Sequence, residues 1–213
     1  AVFFGSFISA WACGTGDSLT ELISAMGNLD SEKGICANLV LNSLNQTLAF
    51  GAAGLTYTLL HGAAPGVGFS KSGNNKHLGK FLIASIIITL GFSPFLDLTF
   101  RLNEWLLVEG STIHTMADAL EAEAARITLA MLSMDTTNQF LATLVAVAVF
   151  PAICEEWLFR GAIQPIFAKW SGNIHVGIWV SAILFSAIHF QFFGFLPRVL
   201  LGAGFGYMVV ASG

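Results

Sequence analysis

Apolar residues in this chain run in long blocks, with polar residues gathered between them. Six windows approach the roughly 20 apolar residues that carry a helix across a bilayer: about residues 1–15, 37–60, 79–100, 138–168, 173–190 and 194–211. A helix is the open-chain form that satisfies its own backbone in lipid, so the pattern predicts an all-α polytopic membrane protein with about six transmembrane helices. No Asp, Glu, Lys or Arg lies between Trp170 and Pro197, but Gln191 and the turn from Phe192 to Pro197 divide that stretch into two spans. Between the third and fourth spans, Ile113, Met116, Leu120, Ala124, Ile127, Met131 and Met134 follow helical spacing, with Asp118, Glu121 and Arg126 opposite. That spacing predicts one amphipathic helix, lying on the membrane surface or packed on the ends of the bundle.

Composition narrows the class further. With 55% hydrophobic residues, 10% charged residues and a mean hydropathy of +0.74, the chain could not cover a water-soluble surface, and disorder is equally excluded. The net charge of −4 and the scattered Lys and Arg leave no patch for nucleic acid. Lys71, Lys76 and Lys80 in the second loop and Lys169 in the fourth predict that those loops are cytoplasmic, with both chain ends on the same side. Cys13, Cys36 and Cys154 have no CxxC spacing and read as buried small hydrophobes, not as a disulfide framework or a zinc site. The whole of 1–213 reads as a single membrane-embedded domain. Because Ala1 falls inside one apolar run and Gly213 at the end of another, both termini are expected to be truncated.

The fourth span carries the chemistry. Glu155, Glu156 and Arg160 interrupt otherwise apolar sequence, and each costs about 2.5–3.5 kcal/mol at the centre of a membrane helix, so something must compensate. Glu156 stands four residues before Arg160 on one helix face and can pair with it; Glu155 diverges from Arg160 by about 140°. A carboxyl in a low-dielectric setting beside a second acid holds its proton more readily, which suits a general base or acid. Pro151, four residues before Glu155, removes a helical hydrogen bond and predicts a bend. His189, near the end of the fifth span, follows Phe185 by one turn, so the Phe185 ring can confine the imidazole. A lone His of this kind is otherwise an interhelical hydrogen-bond partner. His61, His77, His114 and His175 read as solvent-facing, and Gly202 and Gly206 as a small-xxx-small face for close helix packing. The zinc-protease HExxH spacing and serine-nucleophile signatures are absent from the sequence. No metal or cofactor is expected, since Arg160 already competes for one of the carboxylates.

Glu155-Glu156-xxx-Arg160 on one apolar helix, with Phe185-xxx-His189 beginning 25 residues after Arg160 on the next, resembles the CPBP family of CAAX prenyl endopeptidases and bacteriocin-processing, abortive-infection-type proteins. The resemblance is strongest over residues 138–211, the motif-bearing core. It implies an intramembrane glutamic endopeptidase that hydrolyses a peptide bond near the cytoplasmic face. Glu155 would match the catalytic glutamate, His189 the histidine that helps it activate water, and Glu156, Arg160 and Phe185 the supporting residues. The implied partners are membrane lipid, a peptide or membrane-protein substrate and other membrane proteins, and the implied location is a bacterial inner membrane. Family members carry a further helix with an HxxxN-like motif that binds the oxyanion, and no such motif occurs before Gly213. The competing expectations are a catalytically silent membrane scaffold or partner subunit and, less favoured for lack of an inverted repeat, a proton-coupled transporter.

Overall fold

The computed structural model describes residues 19–61, 78–133 and 136–212. The expected first span, Cys13, Met134, His77 and the loop residues Lys71 and Lys76 lie outside them. Among the described residues all regular structure is helical: α1 (Leu19–Gly27), α2 (Glu32–Asn45), a π-helical turn (Gln46–Gly51) continuing into α3 (Ala52–His61), α4 (Leu78–Leu106), α5 (Thr112–Leu132), α6 (Thr137–Ser171), α7 (Ile174–Ala187) and α8 (Phe195–Ser212). Helix therefore stands at each expected span within the described residues. Among the described residues, length and hydropathy together single out only α6, at 35 residues, as able to cross a membrane, while α7 and α8 are apolar but shorter. Five of the six expected spans thus coincide with helix, and one of them passes as a membrane span.

Local sequence explains where the helices start and stop. The Ser31 hydroxyl accepts from the Gly34 N–H at the start of α2, and Thr136 and Gln139 form a reciprocal capping box at the start of α6. Gly172, at φ +68°, ends α6 in the left-handed conformation, and Asn173 caps α7 two residues before His175. Helix α6 is not uniform. It contains π-helical turns at Leu144–Val149 and Phe159–Ile163, each followed within two residues by a proline, Pro151 or Pro165. Proline has no N–H for the carbonyl four residues earlier. The wider turn redistributes those bonds, with the Phe150 N–H reaching back to the Val145 carbonyl. The irregularity expected from Pro151 is therefore a π turn on its N-terminal side.

The amphipathic helix is present as α5, and its inward stripe follows the expected one at Leu120, Ala124, Ile127 and Met131 but departs from it in the first turns. Ala117 is fully buried and Met131 nearly so, whereas Ile113 and Met116 are exposed and Glu121 is half-buried. Arg126 is exposed as expected and grips Glu123 with two hydrogen bonds, holding that carboxyl below the usual carboxylate range.

Backbone packing groups the chain into two compact units, Ala1–Pro65 with Glu123–Leu158 and Gly66–Ala122 with Phe159–Gly213. In the first, the Asn42 side chain donates to the Ala146 carbonyl at 3.0 Å, and the Trp157 indole N–H donates to the Thr58 hydroxyl at 3.2 Å. Gly51 and Gly54 let the backbones close: a Cβ on Gly54 would stand 3.1 Å from the Trp157 ring. Cys36 takes part in a disulfide, correcting the expectation of three unbridged cysteines, and Cys154 is free and buried. The odd count excluded a framework but not a single bridge.

In the second unit, Ile178 and Ala182 of α7 pack with Val199 and Ala203 of α8, and Phe195 covers the cluster. A Cβ on Gly177 would meet the Ala168 Cβ at 2.7 Å and its backbone nitrogen at 2.8 Å, so α7 lies against the end of α6 with no room for a methyl.

Candidate active site

Glu155 and Glu156 belong to the first unit and Arg160, Phe185 and His189 to the second, because the division falls between Leu158 and Phe159. Each set has its own supports.

Around Glu155, helix α6 is fixed by polar side chains from the α2–α3 run. Gln46, the first residue of the π turn there, donates through Nε2 to Glu155 Oε1 at 3.1 Å. Gly51 makes this approach possible, since a Cβ at that position would lie 3.3 Å from Cys154 Sγ. An apolar groove of about 690 Å³ runs beside these helices, lined by Leu39, Ser43, Thr47, Thr143, Ala146 and Phe150. Glu155 is not among its lining residues.

Around His189, aromatic rings and small residues do the holding. Phe159 meets Phe185 edge-on at 5.2 Å, and Phe185 meets His189 at 5.0 Å, giving the confinement expected from the Phe185-xxx-His189 spacing. The Arg160 guanidinium lies 5.1 Å from the Phe185 ring centre and 5.9 Å from that of Phe205. Arg160 is only 3% exposed, and its Nη2 donates to the Gly202 carbonyl at 3.0 Å. One turn later, Gln164 reaches the Gly206 carbonyl at 3.4 Å. Side chains four apart on α6 thus meet carbonyls four apart on α8. The small-xxx-small pair serves as their docking face as well as a close helix contact, for a Cβ on Gly206 would come 2.8 Å from Gln164 Oε1.

His189 Nδ1 lies 2.8 Å from the Phe185 carbonyl oxygen. A carbonyl can only accept, so Nδ1 carries the hydrogen, and in the neutral ring Nε2 is left as an acceptor. That is the tautomer a proton-accepting histidine needs. The next residue, Phe190, adopts φ +52°, a left-handed conformation that costs a non-glycine residue about 1–2 kcal/mol. Surrounding bonds hold the turn: Ser186 donates to the Phe195 carbonyl at 2.8 Å, Asn103 to the carbonyls of Phe192 and Phe193, and Arg198 to the side chain and carbonyl of Gln191.

Three of these supports, Gln46, Asn103 and Arg198, are absent from the motif. Their signal in the sequence is a polar side chain in or beside an apolar stretch. His114 also departs from expectation: it is largely buried, 3.0 Å from Asp118, with its ring against Phe193 at 5.5 Å. His175 is exposed as expected and bonds the Tyr207 hydroxyl. Among the described residues, no group of three His, Cys, Asp or Glu side chains is placed to hold a metal ion.

Residues 137–213 match the Rce1-like family model, described as type II CAAX prenyl endopeptidase Rce1-like. The matched segment contains Glu155, Glu156, Arg160, Phe185 and His189, and it supports the resemblance drawn from those residues. A family of proteases implies a peptide or protein substrate and association with the membrane. No curated protein and no solved structure matches the chain.

Proposed function

We propose that this protein is an intramembrane glutamic endopeptidase that hydrolyses a peptide bond near the cytoplasmic face of the membrane, with Glu155 as general base and His189 as its assisting histidine. The observation that carries the reading is the Rce1-like match over residues 137–213, which holds both halves of the motif, Glu155, Glu156 and Arg160 on α6, Phe185 on α7 and His189 in the turn just after it. In this account Glu155 takes a proton from water, the resulting hydroxide attacks the peptide carbonyl, and the protonated carboxyl later gives its proton to the leaving amine. His189, held in the tautomer with Nε2 open, assists the transfer; Glu156, Arg160 and Phe185 hold the two helices and the imidazole in place. The chain is read as one membrane-embedded domain of about six spans, in a bacterial inner membrane, acting on a peptide or a membrane protein.

The test is cleavage of a membrane-anchored peptide by the full-length protein in lipid nanodiscs. Glu155→Gln is expected to lower turnover by about 10²–10⁴-fold, the usual contribution of a general acid or base. Wild-type turnover by that variant would remove the proposal, and stimulation by zinc after chelation would redirect it to a metal mechanism.

A second reading, a non-proteolytic membrane scaffold, draws on the Gln46–Glu155 hydrogen bond, since an interhelical bond is what such a protein would use its acid for. Function surviving Glu155→Gln, with copurification in a stoichiometric complex, would select it.

A further inference from the structure

We propose that Gln46 is a positioning residue for the Glu155 carboxylate, holding it in the orientation from which it takes a proton. The inference deepens the endopeptidase reading and rests on it. It is carried by three observations within the first unit.

The first is how the amide is used. Among the described residues, the Gln46 side chain makes one hydrogen bond, from Nε2 to Glu155 Oε1. An ionised carboxylate can only accept, so the NH₂ end of the amide must face it. The carbonyl end, Oε1, is then turned away; it is buried, and among the described residues no group donates to it. Gln164 shares this half-satisfied state, so the deficit alone does not mark a function; what sets Gln46 apart is that its one hydrogen bond goes to the acid that the motif assigns to chemistry.

The second is the backbone beneath it. The two π turns of α6 each precede a proline, but the turn at Gln46–Gly51 has none. No missing N–H explains it. Such turns recur at functional sites, where the extra residue re-aims a side chain.

The third is the framing of the contact. Asn42, one turn before Gln46, donates to the Ala146 carbonyl, and Thr58 accepts from the Trp157 indole beyond it. These bonds fix the register on both sides, so the amide meets the carboxylate at a set height. A fixed donor on Oε1 restricts rotation of the carboxylate about its last bond and presents the same geometry to water in every turnover.

The test compares Gln46→Leu, Gln46→Glu and Glu155→Gln in full-length protein in nanodiscs, measuring kcat, KM and melting temperature on one membrane-anchored peptide. Gln46→Leu is expected to lower kcat by about 10–100-fold, the scale typical of groups that support a reacting side chain. KM should stay within about threefold, and the melting temperature should be unchanged or higher, because an unsatisfied buried acceptor is removed. Gln46→Glu has the same shape but donates only when protonated, so its activity relative to wild type should fall as pH rises. A merely structural glutamine would give the opposite set: lower stability, unchanged kcat and no pH-dependent deficit in Gln46→Glu. That set, or a loss confined to KM, overturns the proposal while leaving the endopeptidase reading intact if Glu155→Gln is inactive. Wild-type turnover by Glu155→Gln removes both. Should Gln46→Leu fail to fold, the isosteric Gln46→Glu decides alone through its pH profile.

Discussion

The two ends of the motif are held by different physics. Near Glu155, amide and indole groups of Asn42, Gln46 and Trp157 join α6 to the α2–α3 run, and half-buried polar contacts set the register. Near His189, glycines and alanines let α6, α7 and α8 close tightly, and the rings of Phe159 and Phe185 fill what remains. The first arrangement fixes an acid by direct hydrogen bonding, which a single polar-to-apolar change would undo. The second fixes a base through shape, which a single added methyl would undo. An acid that must ionise inside an apolar helix needs donors, whereas a neutral imidazole needs a defined tautomer and a rigid wall.

That contrast predicts different casualties from different substitutions. After Glu155→Gln, the largest effect is expected at His189: His189→Ala should lower turnover by about 10²-fold in the nanodisc cleavage assay, with little change in melting temperature. Arg160→Met should unfold the second unit more readily, by about 1.5–3 kcal/mol, since the Gly202 carbonyl loses a charged donor; denaturation in mild detergent measures it. Gly177→Ala should cost about 1–3 kcal/mol in the same assay, because the atoms it meets include the Ala168 backbone, which cannot swing aside. Asn42→Leu should cost about 1 kcal/mol, the loss of one interhelical hydrogen bond. A loss larger than that of Gly177→Ala would overturn the contrast between polar and steric support. Glu123→Gln, which breaks an exposed pair on α5, should leave both cleavage and melting unchanged at moderate salt.

Much of the fold was legible in the block pattern of apolar residues. The positions of α2–α3, α4, α6, α7 and α8 follow it, and Pro151 marked an irregularity in α6. The pattern gave the face of α5 from Leu120 to Met131 but not in its first turns, where a period of 3.6 tolerates a modest rotation and Ala117 is buried while Ile113 and Met116 are exposed. Nor could it give crossing length: α7 and α8 are apolar in composition but shorter than α6.

The motif residues were legible because charge in an apolar helix is costly and therefore conspicuous. Gln46 was not. An uncharged amide costs less, and Asn45, Gln46 and Thr47 follow one another as ordinary polar residues in the second apolar window. Its meaning depends on a partner 109 residues away, which periodicity within one helix does not reveal. Arg160 was legible as a cation needing compensation, but not as a donor to α8, because the match between residues four apart on each of two helices exists only once they pack.

The most direct measurement of the central claim is turnover of Glu155→Gln beside Glu156→Gln, each as full-length protein in the same nanodiscs with the same membrane-anchored peptide. The account predicts that the first falls by about 10²–10⁴-fold while retaining the wild-type melting temperature, and that the second keeps more turnover than the first. Equal turnover by Glu155→Gln and the wild-type protein would contradict it.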